Sequence, residues 1–137
     1  MNTIQTIKAI KTSLLLAALA LTLACGYSSK KATPVAGTMP AITQLSPDAA
    51  TAGAGAFTLT VNGSNFSTKA VLNWNGMAQT TTYVSGNQLS VAVPASLIST
   101  AGSVSVSVTN PATPGTGLYG TGATLAETSQ PADFTIN

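Results

Sequence analysis

The chain is 137 residues long, with five Lys or Arg residues, three Asp or Glu residues and no His, which gives a formal charge of +2 at pH 7. Charges this sparse exclude a basic nucleic-acid surface and an acidic surface for a basic partner. The single cysteine excludes a disulfide within one chain, so the fold must depend on a hydrophobic core, which a chain of this length can supply.

The N-terminus has the parts of a secretory signal peptide. Lys8 and Lys11 give it a basic start without acids, an apolar stretch follows at residues 14–24, and a small residue precedes Cys25. A transmembrane helix would need about 20 apolar residues, which is more than this stretch provides. We therefore predict that residues 1–24 are a signal peptide and that the chain is exported.

The end of this apolar stretch reads Thr22-Leu23-Ala24-Cys25 and resembles the lipobox of bacterial lipoproteins. Ala24 and Cys25 match the usual form of the box, whereas the two residues before them depart from the preferred types. The resemblance implies that Cys25 becomes a lipidated N-terminus carrying two or three fatty acyl chains such as palmitate. Two chains are enough for stable anchoring in a membrane, where one would be marginal.

The residue after Cys25 indicates in which membrane the lipoprotein is expected. In the lipoproteins that this sequence resembles, Asp at that position favours retention at the inner membrane, and here the residue is Gly26. The resemblance therefore implies a cell-envelope location at the outer membrane. The alternative is that the signal is cleaved elsewhere, after Ala32 or Ala36, which would make Cys25 an ordinary apolar residue of its tail.

Residues 25–39 are predicted to be a flexible spacer. They are rich in Ser, Thr, Ala and Gly, lack an apolar period, and contain Pro34 as a breaker, with Pro40 directly after them. A segment of this composition behaves as a flexible chain. Its expected effect is to hold the following domain away from the lipid surface.

From residue 41 onwards, apolar and polar residues alternate with a period of two, which predicts half-buried strands. Among the turn signals between them, Asn75-Gly76 suits a tight hairpin because both residues tolerate positive φ. Residues 94–98 are predicted to form one short helical turn. Seven short strands at this spacing predict an all-β, two-sheet sandwich. The predicted strands are 41–45, 57–61, 70–74, 79–84, 89–93, 104–108 and 133–136.

A set of landmarks follows a fixed order along residues 40–137. They are Pro40-Ala41-Ile42, Leu45-Ser46-Pro47, Gly53–Gly55, Asn62-Gly63-Ser64-Asn65-Phe66, Leu72-Asn73-Trp74-Asn75-Gly76, Asn110-Pro111 and Phe134-Thr135-Ile136. This order resembles the IPT/TIG domain, an immunoglobulin-like module found in plexins, some transcription factors and many bacterial surface proteins. The resemblance implies an immunoglobulin-like β-sandwich of about seven strands over residues 40–137.

Some of these landmarks also have physical reasons of their own. Asn62-Gly63 predicts a bend by which the chain leaves a strand, and Phe66 is expected to close the open end of the sandwich. Leu72 and Trp74 lie two residues apart on one predicted strand, so both are expected to point between the sheets.

The segment between Pro111 and Pro131 is longer than the Gly/Ser turn that is usual at this place in the family. Long loops in compact domains are commonly either functional or disordered. Leu118 and Tyr119 at its centre are the candidate contact residues of a variable recognition loop. The alternative is a mobile flap whose two side chains fold back onto the sandwich.

The residues that carry most enzyme chemistry are missing or scattered. The chain has no His, its one thiol is predicted to be acylated, and its three acids stand far apart in the sequence. General acid–base catalysis and metal binding both need such groups close together. We therefore predict no catalytic residue, no metal site and no cofactor, and expect that the chain is not an enzyme.

Two classes of function remain. In the first, the lipid anchor at Cys25 holds a binding or adhesion module on the membrane, and the module meets an unidentified protein or glycan through its loops or an exposed sheet edge. The Thr80–Tyr83 stretch is the candidate edge. In the second, the chain is a structural component of the envelope without a discrete ligand. Neither class involves nucleic acid.

Overall fold

The computed structural model of the chain describes residues 32–116 and 121–137. Strands form in this part of the chain where apolar and polar residues alternate. The described residues contain ten strands and one 3₁₀ helix, η1 (Ala95–Ile98). None of the helical structure in this part of the chain has the length and hydropathy needed to cross a membrane. The strands are β1 (Ala41–Ser46), β2 (Ala49–Ala50), β3 (Phe57–Ser64), β4 (Val71–Trp74), β5 (Met77–Gln79), β6 (Thr81–Ser85), β7 (Gln88–Val93), β8 (Gly102–Asn110), β9 (Glu127–Thr128) and β10 (Ala132–Ile136).

The strands are arranged in two sheets. One sheet has the order β1-β3-β7-β6, and the other has the order β2-β10-β8-β4-β5, with β9 paired to β8. Neighbouring strands are antiparallel except for β2 and β10, which are parallel. The described residues thus form an all-β, immunoglobulin-like sandwich, as the sequence predicts.

The space between the sheets is filled by apolar side chains of the alternating strands. Leu72 and Trp74 on β4 are both buried, as predicted, and Trp74 is 2% exposed. Its ring centroid lies 5.0 Å from that of Phe134 on β10, which also stacks on Phe57 at 5.7 Å. Phe66 is buried in the same core just after β3 ends, which confirms its predicted place.

The predicted strand 79–84 is divided between the two sheets. Gln79 ends β5 in one sheet, and β6 begins at Thr81 in the other, so the chain changes sheet at Thr80. The Thr81 hydroxyl holds this crossing, because it accepts a hydrogen bond from the Leu72 N–H at 2.8 Å and donates one to the Gln79 carbonyl at 2.9 Å. Alternation tells which side of a strand is buried but not which sheet the strand joins.

Asn75 and Gly76 form the predicted tight hairpin between β4 and β5. Both have positive φ, at 48° and 82°, as a two-residue turn of this kind requires. Gly63 lies within β3, and the chain leaves the strand at Asn65, whose φ is 61°. The predicted position of the bend is therefore wrong, because it is two residues too early. A Cβ on Gly63 would collide with the Ala41 carbonyl. The glycine is therefore needed for the close approach of β1 to β3 and not for a turn.

Loops collect at the two ends of the sandwich. At the N-terminal end, β1 begins and β3 and β8 end, and the loop after β3 meets the turn after β6 through a 2.9 Å hydrogen bond from the Phe66 N–H to the Gly86 carbonyl. At the C-terminal end, the loop after β2 meets η1 through a 2.8 Å hydrogen bond from the Gly53 N–H to the Ile98 carbonyl. The polar junction and paired ribbon described below lie at the N-terminal end, and the exposed edge lies along one side.

Candidate functional site

The residues that the sequence singles out fall in different places. Cys25, Leu118 and Tyr119 lie outside the described residues. The candidate edge, Thr80–Tyr83, lies just before and within β6, at the margin of its sheet as expected. The structure adds a polar junction, a paired ribbon and two grooves that the sequence did not indicate.

The polar junction is centred on Asn110, the last residue of β8, which is only 7% exposed. Its side-chain oxygen accepts a hydrogen bond from the Ser67 N–H at 2.9 Å, and its amide nitrogen donates to the carbonyls of Asn65 and Thr38 at 2.7 and 2.9 Å. Buried amide groups are costly unless they are paired in this way. Asn110 therefore joins β8, the loop after β3 and the N-terminal segment, residues 32–39.

The N-terminal segment also pairs with the long loop. The Val35 N–H donates to the Ala123 carbonyl at 3.0 Å, and the Val35 carbonyl accepts from the Leu125 N–H at 2.9 Å, in a parallel pairing with Thr124. Thr124 pairs in turn with Thr113 in the antiparallel sense. We call these three paired stretches, around Val35, Thr113 and Thr124, the N-terminal ribbon.

The ribbon includes residues from two regions that the sequence predicts to be a flexible spacer and a long loop. Residues 32–39 belong to the same compact unit as the sandwich, because the ribbon and Asn110 bind them. The described parts of the 111–131 segment pair with each other: the hydroxyls of Thr113 and Thr124 are 2.7 Å apart, and the Thr116 N–H donates to the Thr121 carbonyl at 2.9 Å. A Thr- and Gly-rich sequence without alternation gives no signal for such pairing.

A groove of about 420 Å³ lies beside the polar junction, and Thr38, Phe66 and Leu125 are among its lining residues. Ser67 also lines it, and its hydroxyl oxygen is buried without a hydrogen-bond partner in the described part of the chain. No charged side chain lines this groove. It is therefore suited to an uncharged polar group and not to an ion.

A second groove, of about 400 Å³, lies where β1 passes the start of β10, and its two charged residues are Asp48 and Asp133. Within residues 32–116 and 121–137, no group of three or more His, Cys, Asp or Glu residues is placed to hold a metal ion. Two carboxylates leave most positions of a Ca²⁺ shell unfilled, since that ion takes about six oxygen ligands or more.

One side of the sandwich is formed by a single stretch of chain, Met77–Ser85, which we call the lateral edge. It comprises β5, at the margin of one sheet, and β6, at the margin of the other. Met77 is 55% exposed and Tyr83 is 38% exposed, and Val84 is exposed as well. These three make up half of the large hydrophobic side chains that are exposed in the described residues.

The lateral edge is also free of charge. No charged residue occurs anywhere between Lys69 and Glu127. Native edge strands commonly carry charged side chains or bulges that oppose pairing with another chain. This edge has a register shift between Tyr83 and Ser85 but no charge, so it is only partly protected.

The fold and these surfaces define the class to which the protein belongs. It is an immunoglobulin-like module of the binding or structural kind. Residues 40–131 match the IPT/TIG domain, and the chain belongs to this family. The sandwich extends past the matched residues to include β10. A comparison with curated proteins found no match.

Proposed function

We propose that the chain is an exported lipoprotein of the cell envelope that presents its IPT/TIG domain to a partner protein. In this proposal the anchor is Cys25, the destination is the outer membrane, and the domain supplies a contact surface without catalysing a reaction. The observation that carries the binding role is the lateral edge, an uncharged and partly apolar margin on a well-packed sandwich.

The exposed side chains favour a protein over a glycan as the partner. Glycan sites rely on exposed aromatic rings, whose apolar faces cover those of the sugars, and Tyr83 is the one exposed aromatic side chain in the part of the chain that the structure describes. Met77 and Val84 supply apolar area of the kind that protein contacts bury. Alternate backbone groups of β6 point away from β7 and are able to pair with an extended strand of the partner.

The same surfaces give little support for an enzyme. Asp48 and Asp133 share a groove, but its lining contains no Lys or Cys that could act with them, and the chain has no His. A Ser or Thr nucleophile requires a general base within hydrogen-bond reach. In this proposal the domain binds a partner and does not catalyse a reaction.

The anchor is tested by the intact mass of the full chain, produced in a Gram-negative bacterium and extracted from its membranes with detergent. We expect the mass of residues 25–137 plus a diacylglyceryl group and one further acyl chain, because Cys25 would be the acceptor of both. The Cys25→Ser variant is the control and is expected to carry no lipid. Cleavage after Ala32 or Ala36, or an unmodified Cys25, would contradict the anchor.

The contact surface is tested by a photo-crosslinking residue placed in the full chain on intact cells. We expect a crosslinker at Thr82, which is exposed on β6, to give an adduct of discrete mass with another protein, because the lateral edge would lie against that protein. The matched control is Thr58, which is exposed on β3 in the interior of the same sheet. We expect no adduct from it.

A lack of adducts from Thr82, or equal and diffuse labelling from both positions, would contradict the binding role. That result would favour the alternative, in which the domain is a structural component of the envelope without a discrete ligand. Mass spectrometry of any adduct identifies the partner directly.

A further inference from the structure

The second group of exposed apolar side chains lies on and beside the N-terminal ribbon. Val35 is 61% exposed and Leu125 is 51% exposed, and Met39 is exposed as well. Because Val35 pairs with Thr124 and Leu125 is the next residue along that strand, the two side chains point to opposite faces of the ribbon. Both side chains are more than half exposed, so the ribbon presents apolar area on both faces, and a ribbon that enters an interface edge-on brings both into contact with lipid.

The paired stretches of the ribbon carry no charged side chain, and the charge that lies beside them is that of Glu127, next to Gly37. Residues 32–47 and 70–126 contain no charged side chain. The Thr121 hydroxyl donates to the Thr116 carbonyl at 3.1 Å, and the hydroxyls of Thr113 and Thr124 bond to each other. These hydroxyls therefore already have partners, while the exposed apolar side chains favour the interface.

The N-terminal segment leaves the domain from the ribbon. The stretches around Val35 and Thr124 run parallel to each other. From Val35 back to Ala32 the chain therefore follows the direction from Thr124 back to Thr121, and it moves away from Thr38 and the polar junction. Seven residue steps separate Ala32 from Cys25, which is at most about 25 Å of extended chain. The binding of residues 32–39 to the domain removes the rest of the predicted spacer from this tether.

We infer that the N-terminal ribbon docks on the lipid headgroups of the membrane that holds Cys25, an inference that rests on the proposed lipid anchor. A short tether makes this contact intramolecular, with an effective concentration on the order of millimolar, so a weak apolar contact is enough to keep the ribbon bound. The domain then lies on the lipid surface at its N-terminal end and is not held away from it.

The test uses the full lipidated protein in vesicles of phosphatidylethanolamine and phosphatidylglycerol. A polarity-sensitive fluorophore is attached through Ala126→Cys, next to Leu125, or through Ser99→Cys, an exposed position just after η1 at the C-terminal end. We expect the label at 126 to shift its emission to the blue and to be quenched several-fold more strongly by nitroxide lipids than the label at 99, because interfacial segments lie about 5–10 Å into the headgroup boundary.

A pair of variants identifies the side chains that make the contact. Replacing both Val35 and Leu125 with Ser is expected to lower quenching at 126 to the level measured at 99. The control is Met77→Ser on the lateral edge, since Met77 at 55% is exposed to the same degree as Leu125 at 51%, and it is expected to leave quenching at 126 unchanged.

The failure of this inference is distinguishable from the failure of the anchor. If the intact mass shows lipid on Cys25 but the labels at 126 and 99 are equally quenched, the docking is overturned and the anchor stands. If quenching at 126 does not depend on Val35 and Leu125, or is lost equally with Met77→Ser, the docking is overturned in the same way. An unmodified Cys25 overturns both proposals.

Discussion

Replacing Trp74 with Ala is expected to lower the free energy of unfolding by about 3–5 kcal/mol. The indole is 2% exposed and tilts against the Phe134 ring between the two sheets, so its removal leaves a cavity that the paired strands cannot fill. A loss of this size is a large part of the stability of a small domain. Urea denaturation followed by circular dichroism measures it.

Met77 offers a matched control because it pairs directly with Trp74 across the β4–β5 hairpin. Its side chain is 55% exposed, so Met77→Ala is expected to cost less than about 1 kcal/mol. Cross-strand partners share one face of a hairpin, but of these two side chains only that of Trp74 is buried. Equal losses for both would show that the hairpin as a whole, and not the buried indole, is what each change disturbs.

Replacing Asn110 with Ala is expected to lower the free energy of unfolding by about 2–4 kcal/mol. The change removes three hydrogen bonds and leaves the Ser67 N–H and the carbonyls of Asn65 and Thr38 without their partner. The N-terminal segment loses its side-chain attachment to β8. We therefore also expect faster hydrogen exchange at the Val35 amide, measured by NMR, because the ribbon loosens along with the segment.

Asn87 is the control for this variant, since its side chain is exposed and donates one hydrogen bond, to the Gly63 carbonyl at 2.9 Å. Asn87→Ala is expected to cost less than about 1 kcal/mol and to leave exchange at Val35 unchanged. If Asn110→Ala is as mild as Asn87→Ala, the polar junction does not hold the three segments together.

Asn110→Asp separates the loss of hydrogen bonds from the loss of volume. An aspartate keeps the acceptor for the Ser67 N–H but cannot donate to the carbonyls of Thr38 and Asn65. Those carbonyls and burial would raise the pKa of this carboxyl in the folded state, so the variant is expected to lose stability as the pH rises above its unfolded pKa of about 3.9. A loss that does not change with pH would contradict this.

Much of the fold can be predicted from the sequence, because the period of two is a local property. Leu72 and Trp74 point inward simply because they lie two residues apart on a strand, and Asn75-Gly76 forms a hairpin because both residues tolerate positive φ. The order of landmarks led to the IPT/TIG family, which the match over residues 40–131 confirms.

What could not be predicted depends on pairing between distant parts of the chain. β2 and β9 are two residues long, too short to show a pattern, and exist only because neighbouring strands offer them partners. Asn110 bonds to groups 43, 45 and 72 residues away. In the sequence Asn110-Pro111 is one of the landmarks that resemble the IPT/TIG domain, and the resemblance says nothing about these partners.

The candidate sites also differ in whether they depend on a local pattern or on pairing between distant residues. Cys25 is predicted from a purely local pattern, and it stays a prediction, as do Leu118 and Tyr119. The lack of charge between Lys69 and Glu127 is plain in the sequence. That this uncharged chain forms a sheet margin at Met77–Ser85 depends on the crossing at Thr80, which only the structure shows.

The order of strands in the β1-β3-β7-β6 sheet has a mechanical consequence. The proposed tether leads into β1 at one margin of this sheet, and β6 of the lateral edge forms the other margin. Between these margins lie β3 and β7, and each of the four strands is joined to the next by ladder hydrogen bonds that run across the strands. A force applied between the two margins would therefore be transmitted through three rows of these bonds, β1–β3, β3–β7 and β7–β6.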